Sequence, residues 1–546
     1  MYSLMSEQRK PNFLKGAAIL AVASVIVKIV SASYRIPLFN ILGDSGRGTF
    51  QVIYSVFGLI LALSTAGVPV ALSRLVSDAN TKGNTPLIRR YFSVALPVFT
   101  IVGVVAMLVM FFFSEQLAWL LGNSLAATGL RVLAPAAFFS CIIAVYRGYA
   151  QGHEDMIPTA ISQVVEVICK LVIGIVVILW LQYMNYSMNI IYAGAVSGVT
   201  VGLGVCIPIL IIYNRRINRK YHSLPEHTKS ADVPSAKAVL RKIIKVSVPI
   251  SVSASFMAAM GLIDSAIVHH RLQSTLGYTE LEASAAWGIQ ALGISLFTIP
   301  PATVLPISVS IIPAIAAAIA RKQDTEAGTI MRTSLKLVNL IAMPAAIGLM
   351  ALAAPILFSL FEYRLQLATT ILILLGAASF FVCLQFITSS ILQANGHERV
   401  SLISFPIGAA ARFIIVYILS GIPSVGVVSS SIGTLVCFAL IAVLNLAFIK
   451  ARIRQARNLR TVFTKPLFCA LIMGITAFLT YTGIQWLGYG IFGDGRAATT
   501  VYLILTILIS ATVYIALVVL TKVVTKKDLE HVPKGEKLAK LLRVKR

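Results

Sequence analysis

The sequence predicts an all-α polytopic membrane protein with about fourteen transmembrane helices. Of its 546 residues 58% are hydrophobic and only 12% are charged, which is too apolar for an ordinary soluble globular protein. The apolar residues come in blocks of roughly 20, the length that a helix needs to cross about 30 Å of hydrocarbon. Polar breaks separate the blocks, whereas strands of a membrane barrel would alternate at every second residue.

The apolar blocks give the approximate positions of the spans along the chain. They predict spans at 16–38, 50–74, 91–113, 129–150, 157–180, 188–213, 243–268, 284–318, 333–360, 366–393, 399–420, 423–449, 466–487 and 498–521. The eighth block contains four prolines, and a proline inside a helix removes a backbone hydrogen bond and clashes with the preceding turn. We therefore expect the eighth span to be kinked or partly re-entrant.

The basic residues predict the orientation in the membrane. If the N-terminus is cytoplasmic, the outside segments hold only Arg47, Arg131, Arg271, Arg364 and Arg496. Apart from a few basic residues within spans, the rest of the 46 Lys and Arg residues then lie inside. Cytoplasmic loops carry an excess of Lys and Arg. The sequence therefore predicts a multi-pass protein of the cell membrane with both termini in the cytoplasm.

The net charge of +26 follows from the same distribution. A nucleic-acid-binding surface needs its basic residues on a soluble domain, and no segment between the spans is long enough to form one. The basic segments 214–242, 450–465 and 522–546 are predicted instead to lie against anionic membrane lipids. We expect no nucleic-acid partner.

An internal repeat divides the span pattern. The fourth span runs into Gln151-Gly152-His153-Glu154, and the tenth runs into Gln393-Ala394-Asn395-Gly396-His397-Glu398. In these turns a glycine would allow the sharp reversal and the glutamate could cap the next helix. Transporters built from two parallel repeats hold their substrate between the lobes and expose it to each side in turn. The alternative is a chance similarity between apolar segments.

The repeat predicts two pseudo-symmetric six-helix lobes followed by two C-terminal helices. The expected organisation is an N-lobe at 1–213, a basic cytoplasmic connector at 214–242, a C-lobe at 243–449, a basic cytoplasmic loop at 450–465, two additional helices at 466–521 and a basic cytoplasmic tail at 522–546.

Ionisable side chains inside the spans are the candidate binding residues, because a charge at membrane depth is costly and usually faces a cavity or a partner. They are Lys28, Arg35, Glu166, Lys170 and Arg412. The surplus of cations suits an anionic substrate that carries phosphate groups. A drug-cation exporter would need the reverse balance.

Structural alternatives exist for these residues. Glu166 and Lys170 are four residues apart and could form an intrahelical ion pair. Lys28 and Arg35 lie seven residues apart, on one face of the first span, but their side chains could instead extend towards opposite interfaces.

Two acidic residues are candidates for coupling. Asp264, in the outer half of the seventh span, could bind an ion or proton, or could balance the charges at 269–271. The glycine-rich outside loop 43–48 lacks the Gly-Lys-Ser/Thr ending of a nucleotide-binding loop. It either places Asp44 and Arg47 at the mouth of a cavity, where Arg47 would contact substrate, or forms a plain turn. No metal site or cofactor is predicted, and the identity of a coupling ion is left open.

Several longer motifs resemble a known family. They are Lys15-Gly16-Ala17-Ala18-Ile19-Leu20, Tyr34-Arg35-Ile36-Pro37-Leu38, Ala66-Gly67-Val68-Pro69-Val70-Ala71-Leu72-Ser73, Tyr146-Arg147-Gly148-Tyr149-Ala150-Gln151-Gly152 and Pro158-Thr159-Ala160-Ile161-Ser162-Gln163. In these motifs the chain resembles the polysaccharide-biosynthesis and stage V sporulation protein B type of transporter. That family belongs to the multidrug/oligosaccharidyl-lipid/polysaccharide exporter superfamily, whose Gram-positive members include lipid II flippases of the MurJ type.

The resemblance implies two six-helix lobes around a cationic central cavity, with the last two helices forming a groove for a polyprenyl tail. It also implies that Lys28 and Arg35 correspond to first-helix residues that contact the diphosphate of the substrate.

The sequence is thus interpreted as a flippase that carries the peptidoglycan precursor lipid II from the inner to the outer leaflet by alternating access. Its expected partners are a lipid-linked glycan diphosphate, anionic lipids at the basic loops and the cell-wall synthesis machinery. One alternative is a flippase for another lipid-linked oligosaccharide of capsule, teichoic acid or sporulation. Another is a cation-coupled multidrug exporter. An enzyme is not expected, because the outside loops are short and hold only scattered acidic residues.

Overall fold

A computed structural model describes the backbone of residues 2–222, 234–453, 460–521 and 523. The side chains of residues 2–22, 24–25, 28–29, 32–33, 220–222, 460 and 491–492 fall outside this description. Within the described ranges every regular element is an α-helix, which confirms the all-α prediction. The helices are α1 (Tyr2–Thr65), α2 (Val68–Thr81), α3 (Thr85–Phe112), α4 (Ser114–Leu120), α5 (Ala126–Gly152), α6 (Ile157–Tyr183), α7 (Met188–His222), α8 (Ala236–Leu276), α9 (Glu280–Phe297), α10 (Ile299–Ala320), α11 (Asp324–Ala351), α12 (Ala353–Phe361), α13 (Gln366–Ala394), α14 (Glu398–Ser420), α15 (Val428–Arg452), α16 (Arg460–Phe492) and α17 (Arg496–Leu520).

The long helices account for the predicted spans. Thirteen stretches of the described chain are long and apolar enough to cross a membrane. One of them, Tyr34–Thr81, begins inside the predicted first span and contains the second. The predicted eighth span is a single apolar stretch, Glu280–Ala320, but it consists of two helices, α9 and α10, which meet at Thr298. The kink expected from its prolines is therefore present.

The first two predicted spans are joined without a loop. Residues 44–48 are helical, so the loop predicted at 43–48 is wrong, and the only departure inside α1 is Gly43, with φ 66° and ψ −178°. A side chain at this position would clash with the backbone, whereas glycine accepts a positive φ without strain. Gly43 therefore bends α1 while the helix continues on both sides.

The helix order repeats along the chain. Helices α3 to α7 and helices α11 to α15 show the same succession of a long helix, a short helix and three long helices. The short members are α4 and α12, at the predicted outer ends of their repeats. This succession agrees with the internal repeat inferred from the sequence.

The two repeated turns differ in their backbone. Gly396 takes the positive φ in the second turn, but in the first turn Glu154 does so and Gly152 ends helix α5. Neither glutamate caps a helix as predicted, since Asp155 accepts the backbone N–H of Ile157 at 3.1 Å and Glu398 is the first residue of α14. The two similar sequences therefore both reverse the chain direction, but with different backbone conformations.

The described chain forms two compact units, Met1–Gly288 and Ile289–Arg546. In the first unit α1 packs on α5, α6 and α8, and α7 packs on α5 and α6. In the second, α13 packs on α10, α11 and α15, while α16 packs on α11 and α17. Helix α8 and the start of α9 are thus grouped with the first unit by contact, whereas the lobe boundaries drawn from the repeat stay a prediction.

Within the first unit, α1 and α2 touch α8 and α9 near both ends. Towards the predicted outer side, a Cβ on Gly48 would overlap the carbonyl oxygen of Ser284, and a Cβ on Gly288 would overlap that of Asp44. We call this the outer contact. Towards the predicted inner side, a Cβ on Gly67 would likewise overlap the carbonyl oxygen of Ser247. The backbone N–H of Gly67 donates to Oγ of Ser251 at 3.0 Å. We call this the inner contact.

Candidate functional site

Helix α6 carries three polar side chains on one face. Ser162, Glu166 and Lys170 recur every four residues, the spacing that stacks side chains along an α-helix. All three lie in the first unit, between α5 and α1, whose side chains complete the site.

Arg147 on α5 is bound to this face of α6. Its Nε donates to Oγ of Ser162 at 2.9 Å, and its Nη2 donates to a carboxylate oxygen of Glu166 at 3.0 Å. The side chains of Arg147 and Glu166 are 17% and 28% exposed. The intrahelical ion pair considered for Glu166 and Lys170 is therefore not the one observed, because Glu166 pairs with α5.

Lys170 is held by aromatic rings. Its ammonium nitrogen lies 4.5 Å from the ring centroid of Tyr54 and 5.2 Å from that of Tyr34, both on α1. These are cation–π distances. Tyr34 is fixed by its hydroxyl, which donates to the carbonyl oxygen of Ala195 on α7 at 2.9 Å. The rings position the ammonium group without neutralising its charge.

Arg35 adds a second cation beside Lys170. The two side chains are near enough to interact electrostatically, and Glu166 interacts with Lys170 in the same way. The hydroxyl of Tyr54 is buried and has no hydrogen-bond partner among the described residues. We call the five side chains of Arg35, Tyr54, Arg147, Glu166 and Lys170 the cationic cluster. It combines three basic side chains, one carboxylate and a hydroxyl.

The second unit places a cation at the matching position of its repeat. Arg412 lies on α14 as Lys170 lies on α6, one residue further from the start of its helix. In each repeat a glycine of the next helix approaches the backbone of the cationic residue. A Cβ on Gly198 would lie 2.8 Å from the carbonyl oxygen of Lys170, and a Cβ on Gly433 would lie 3.3 Å from that of Arg412.

The side chain of Arg47 stabilises the bend of α1. Its Nε donates to the carbonyl oxygen of Phe39 and its Nη1 donates to Asp44, both at 2.6 Å. The Arg47 residue is only 5% exposed. The bend at Gly43 leaves carbonyl groups without helical partners, and this guanidinium satisfies one of them. The geometry favours a structural role for Arg47 and Asp44 over contact with substrate or coupling ion.

Replacing Arg47 by methionine should lower the stability of the protein. The loss should be about 1–3 kcal/mol, less than for a fully buried ion pair, because the Asp44 side chain is 38% exposed. Chemical or thermal unfolding of the purified protein in detergent measures it. Arg131→Met is the matched control, since its ion pair with Glu115 lies at the surface, with side chains 43% and 70% exposed, and such pairs contribute little. Normal stability with lost transport in Arg47→Met would instead support substrate contact.

Asp264 and Lys28 are the two remaining predicted residues. Asp264 is fully buried on α8, at 0% exposure. Lys28 belongs to α1, but its side chain lies outside the described residues. Their roles in coupling and in substrate binding stay predictions.

Sequence reasoning missed two members of the cluster. Arg147 lies near the end of the predicted fourth span, among the basic residues expected inside, and Tyr54 in the second span was not among the candidates. Arg147 could have been found from its position in Tyr146-Arg147-Gly148-Tyr149, which is part of a motif that carries the family resemblance.

Taken together, the repeated all-helical spans and the buried charges define a helical membrane transporter. The chain belongs to the polysaccharide biosynthesis protein family, whose model matches residues 13–319. Curated relatives from Bacillus subtilis (strain 168) match nearly the whole chain. The uncharacterized membrane protein YabM is 27% identical over 97% of this chain and 96% of its own length. Stage V sporulation protein B is 22% identical over 96% and 98%, and the lipid II flippase MurJ is 21% identical over 92% and 94%.

Solved structures show the same fold. A lipid II flippase MurJ in an inward closed conformation has a TM-score of 0.64 at 16% identity and covers 92% of this chain and 98% of its own. An inward-facing multidrug resistance transporter of the MATE family, within the MOP superfamily, has a TM-score of 0.59 at 19% identity, covering 82% of this chain and 99% of its own. At these identities the likeness shows that the chain shares the all-helical fold of these transporters.

Proposed function

We propose that the protein is a flippase that carries lipid II, the undecaprenyl-diphosphate-linked peptidoglycan precursor, from the inner to the outer leaflet by alternating access. The observation that carries the proposal is the cationic cluster, in which Arg35 and Lys170 lie near the ion pair between Arg147 and Glu166. Relatives that include a lipid II flippase support it.

The charges of the cluster suit a diphosphate. A diphosphate crossing bare hydrocarbon would lose its hydration at a prohibitive free-energy cost. Guanidinium groups offer forked donors to phosphate oxygens, and an ammonium group offers a compact charge with three donors. Arg35 and Lys170 would replace the lost water, and the Tyr54 hydroxyl would contact the first sugar or a phosphate oxygen. Arg412 would serve as the matching cation of the second repeat.

The same cluster argues against the multidrug alternative. A site for organic cations needs acidic and aromatic side chains, and Tyr34 and Tyr54 would fit such a site. Their rings, however, are occupied by the ammonium group of Lys170, and the nearby carboxylate of Glu166 is paired with Arg147. An organic cation would meet the basic side chains of Arg35 and Lys170 here.

The proposal assumes the orientation given by the basic residues. With both termini in the cytoplasm, the basic segments 214–242, 450–465 and 522–546 would contact anionic lipids of the inner leaflet. Lipid II is made on that side, and partners in cell-wall synthesis would receive it on the other. Transport would be driven by an ion gradient or by the membrane potential, and no residue is assigned to this coupling.

A complementation assay tests the substrate. The native lipid II flippase of a bacterial host is depleted, this protein is expressed, and an enzyme that cleaves only externally exposed precursor is added to the cells. We expect lipid II to be cleaved in cells that express the protein and to be protected in cells that do not.

The result also distinguishes the related alternative. Failure of well-expressed protein to expose lipid II would overturn the lipid II assignment. The same assay on other lipid-linked glycans would then follow, because stage V sporulation protein B is as similar to this chain as the flippase MurJ is.

A further inference from the structure

The outer contact encloses a group of buried polar side chains. They come from α1, from the turn between α4 and α5, and from α8 and α9, all within Met1–Gly288. Thr49, Asn123, Ser265, His269 and Ser284 are each 0% exposed. Buried polar groups are normally hydrogen-bonded, so any without a partner calls for an explanation.

Most of these groups tie the helices together. The side-chain amide of Asn123 donates to Oγ of Ser284 at 2.8 Å and to Oγ1 of Thr49 at 3.3 Å. A carboxylate oxygen of Glu280 accepts the hydroxyl of Ser124 at 2.7 Å and also its backbone N–H. These bonds link α9 to α1 and to the start of α5, so they would have to break if the outer contact opened.

Asn123 and Ser265 also keep one side-chain oxygen each without a hydrogen-bond partner among the described residues, but His269 is the member that can bind a proton near neutral pH. Its Nδ1 donates to the carbonyl oxygen of Ser265 at 2.8 Å, and because a carbonyl can only accept, Nδ1 must carry a proton. Its Nε2 has no hydrogen-bond partner among the described residues. The ring faces the indole of Trp287, with centroids 5.8 Å apart. In the neutral ring Nε2 is therefore a proton acceptor with nothing bound to it.

We propose that Nε2 of His269 is a proton-binding site, reached from the outer solution when the outer contact opens, and that proton binding stabilises the open state. The inference rests on the alternating access of the proposed function. With the outer contact closed, an imidazolium would find no acceptor for its second N–H among the described residues, whereas in the open state water would supply one.

The surrounding charged groups do not replace that water. Those near it on the packed elements are Asp264, His270 and Arg271 on α8, Glu280 and Glu282 on α9, and Asp44 with Arg47 on α1. None of them hydrogen-bonds to Nε2. Glu280 is bound to Ser124 and Arg47 to Asp44, and the turn Leu121–Leu125 contains no titratable side chain.

The size of the expected pH effect follows if His269 titrates as an ordinary hydrated histidine in the open state. A histidine in water titrates near pH 6.5, so lowering the outer pH from about 7.5 to 5.5 should raise the ratio of outward-open to closed protein by up to about tenfold. Pulsed electron paramagnetic resonance can measure this ratio from the distance between two spin labels. Suitable sites are Ser187→Cys, in the α6–α7 turn, and Ser274→Cys, near the end of α8, both exposed.

The variants separate His269 from its neighbour. In membranes at graded pH, His269→Gln should abolish the pH-dependent change in the distance distribution. His270→Gln is the matched control and should retain it, because the His270 side chain is exposed and its Nε2 already contacts the carbonyl oxygen of Leu120 at 2.9 Å. If His269→Gln is not recovered as monodisperse protein, His269→Asn takes its place. Labelling of the chain without the added cysteines corrects for the native thiols.

Three results would overturn the proposal. They are a distance distribution that does not change with pH in the wild type, a change that persists in the neutral His269 variants, and a change that His270→Gln removes. The measurement needs no lipid-linked substrate, so it is independent of whether the protein exposes lipid II in cells.

Discussion

Replacing Lys170 by methionine should remove most of the flipping activity. Methionine keeps the apolar stem between the rings of Tyr34 and Tyr54 and deletes only the charge. Hydrogen bonds to charged groups contribute about 1.5–3 kcal/mol, so the rate of lipid II exposure should fall about 10- to 100-fold. The double variant with Arg35→Gln should fall further, because both cations would face the same diphosphate.

Lys242→Met is the matched control for this experiment. Lys242 is an exposed residue near the start of α8, outside the cationic cluster, and its loss should leave the exposure of lipid II unchanged. Expression and thermal stability are compared so that a folding defect is not mistaken for a transport defect. Full activity of well-folded Lys170→Met would show that the diphosphate binds elsewhere and would rule out the cationic cluster as its binding site.

Replacing Gly48 by alanine should open the outer contact. The new methyl group would overlap the carbonyl oxygen of Ser284, which is backbone and cannot rotate away. Inserting a methyl into a tightly packed interface costs about 1–3 kcal/mol, which would shift the equilibrium roughly 5- to 150-fold towards states in which α1 and α9 are apart. Flipping should slow, because the transport cycle needs the closed outer contact in each turnover.

The spin-label pair at residues 187 and 274 reports this shift, with Gly58→Ala as control. Gly58 lies on the same helix, and a Cβ there would meet nothing within 4 Å. Gly48→Ala should lengthen the distance at neutral pH, and Gly58→Ala should not. Equal distributions in the two variants would show that the outer contact is not a moving part.

The helices of this protein could be predicted because apolar length is a local property of the sequence. Thirteen apolar stretches of the described chain correspond to the predicted spans, with Tyr34–Thr81 holding the end of the first span and all of the second, and the prolines near residue 300 follow the break between α9 and α10. The loop predicted at 43–48 failed because glycine and charge are typical of turns. Here a single positive-φ residue, braced by Arg47, sufficed to bend a continuous helix.

The site was harder to predict because pairing is not local. Four-residue spacing suggested that Glu166 would pair with Lys170, yet its partner is Arg147, nineteen residues earlier on another helix. The aromatic partners of Lys170 are more than a hundred residues away in sequence. A single sequence indicates which residues carry charge inside the membrane, but only the packing of α1, α5 and α6 shows that Glu166 pairs with Arg147 and that Lys170 lies against Tyr34 and Tyr54.

The simultaneous presence of the outer and inner contacts has an electrical consequence. A polar path open at both ends would let ions flow down the membrane potential, at about 2.3 kcal/mol per charge for each 100 mV. Gly48 lies against Ser284 and Gly67 lies against Ser247 at the same time, so these helices are in contact towards both sides of the membrane. In the proposed flippase, a state of this kind between two openings would let a large charged headgroup cross without an ion leak through the membrane.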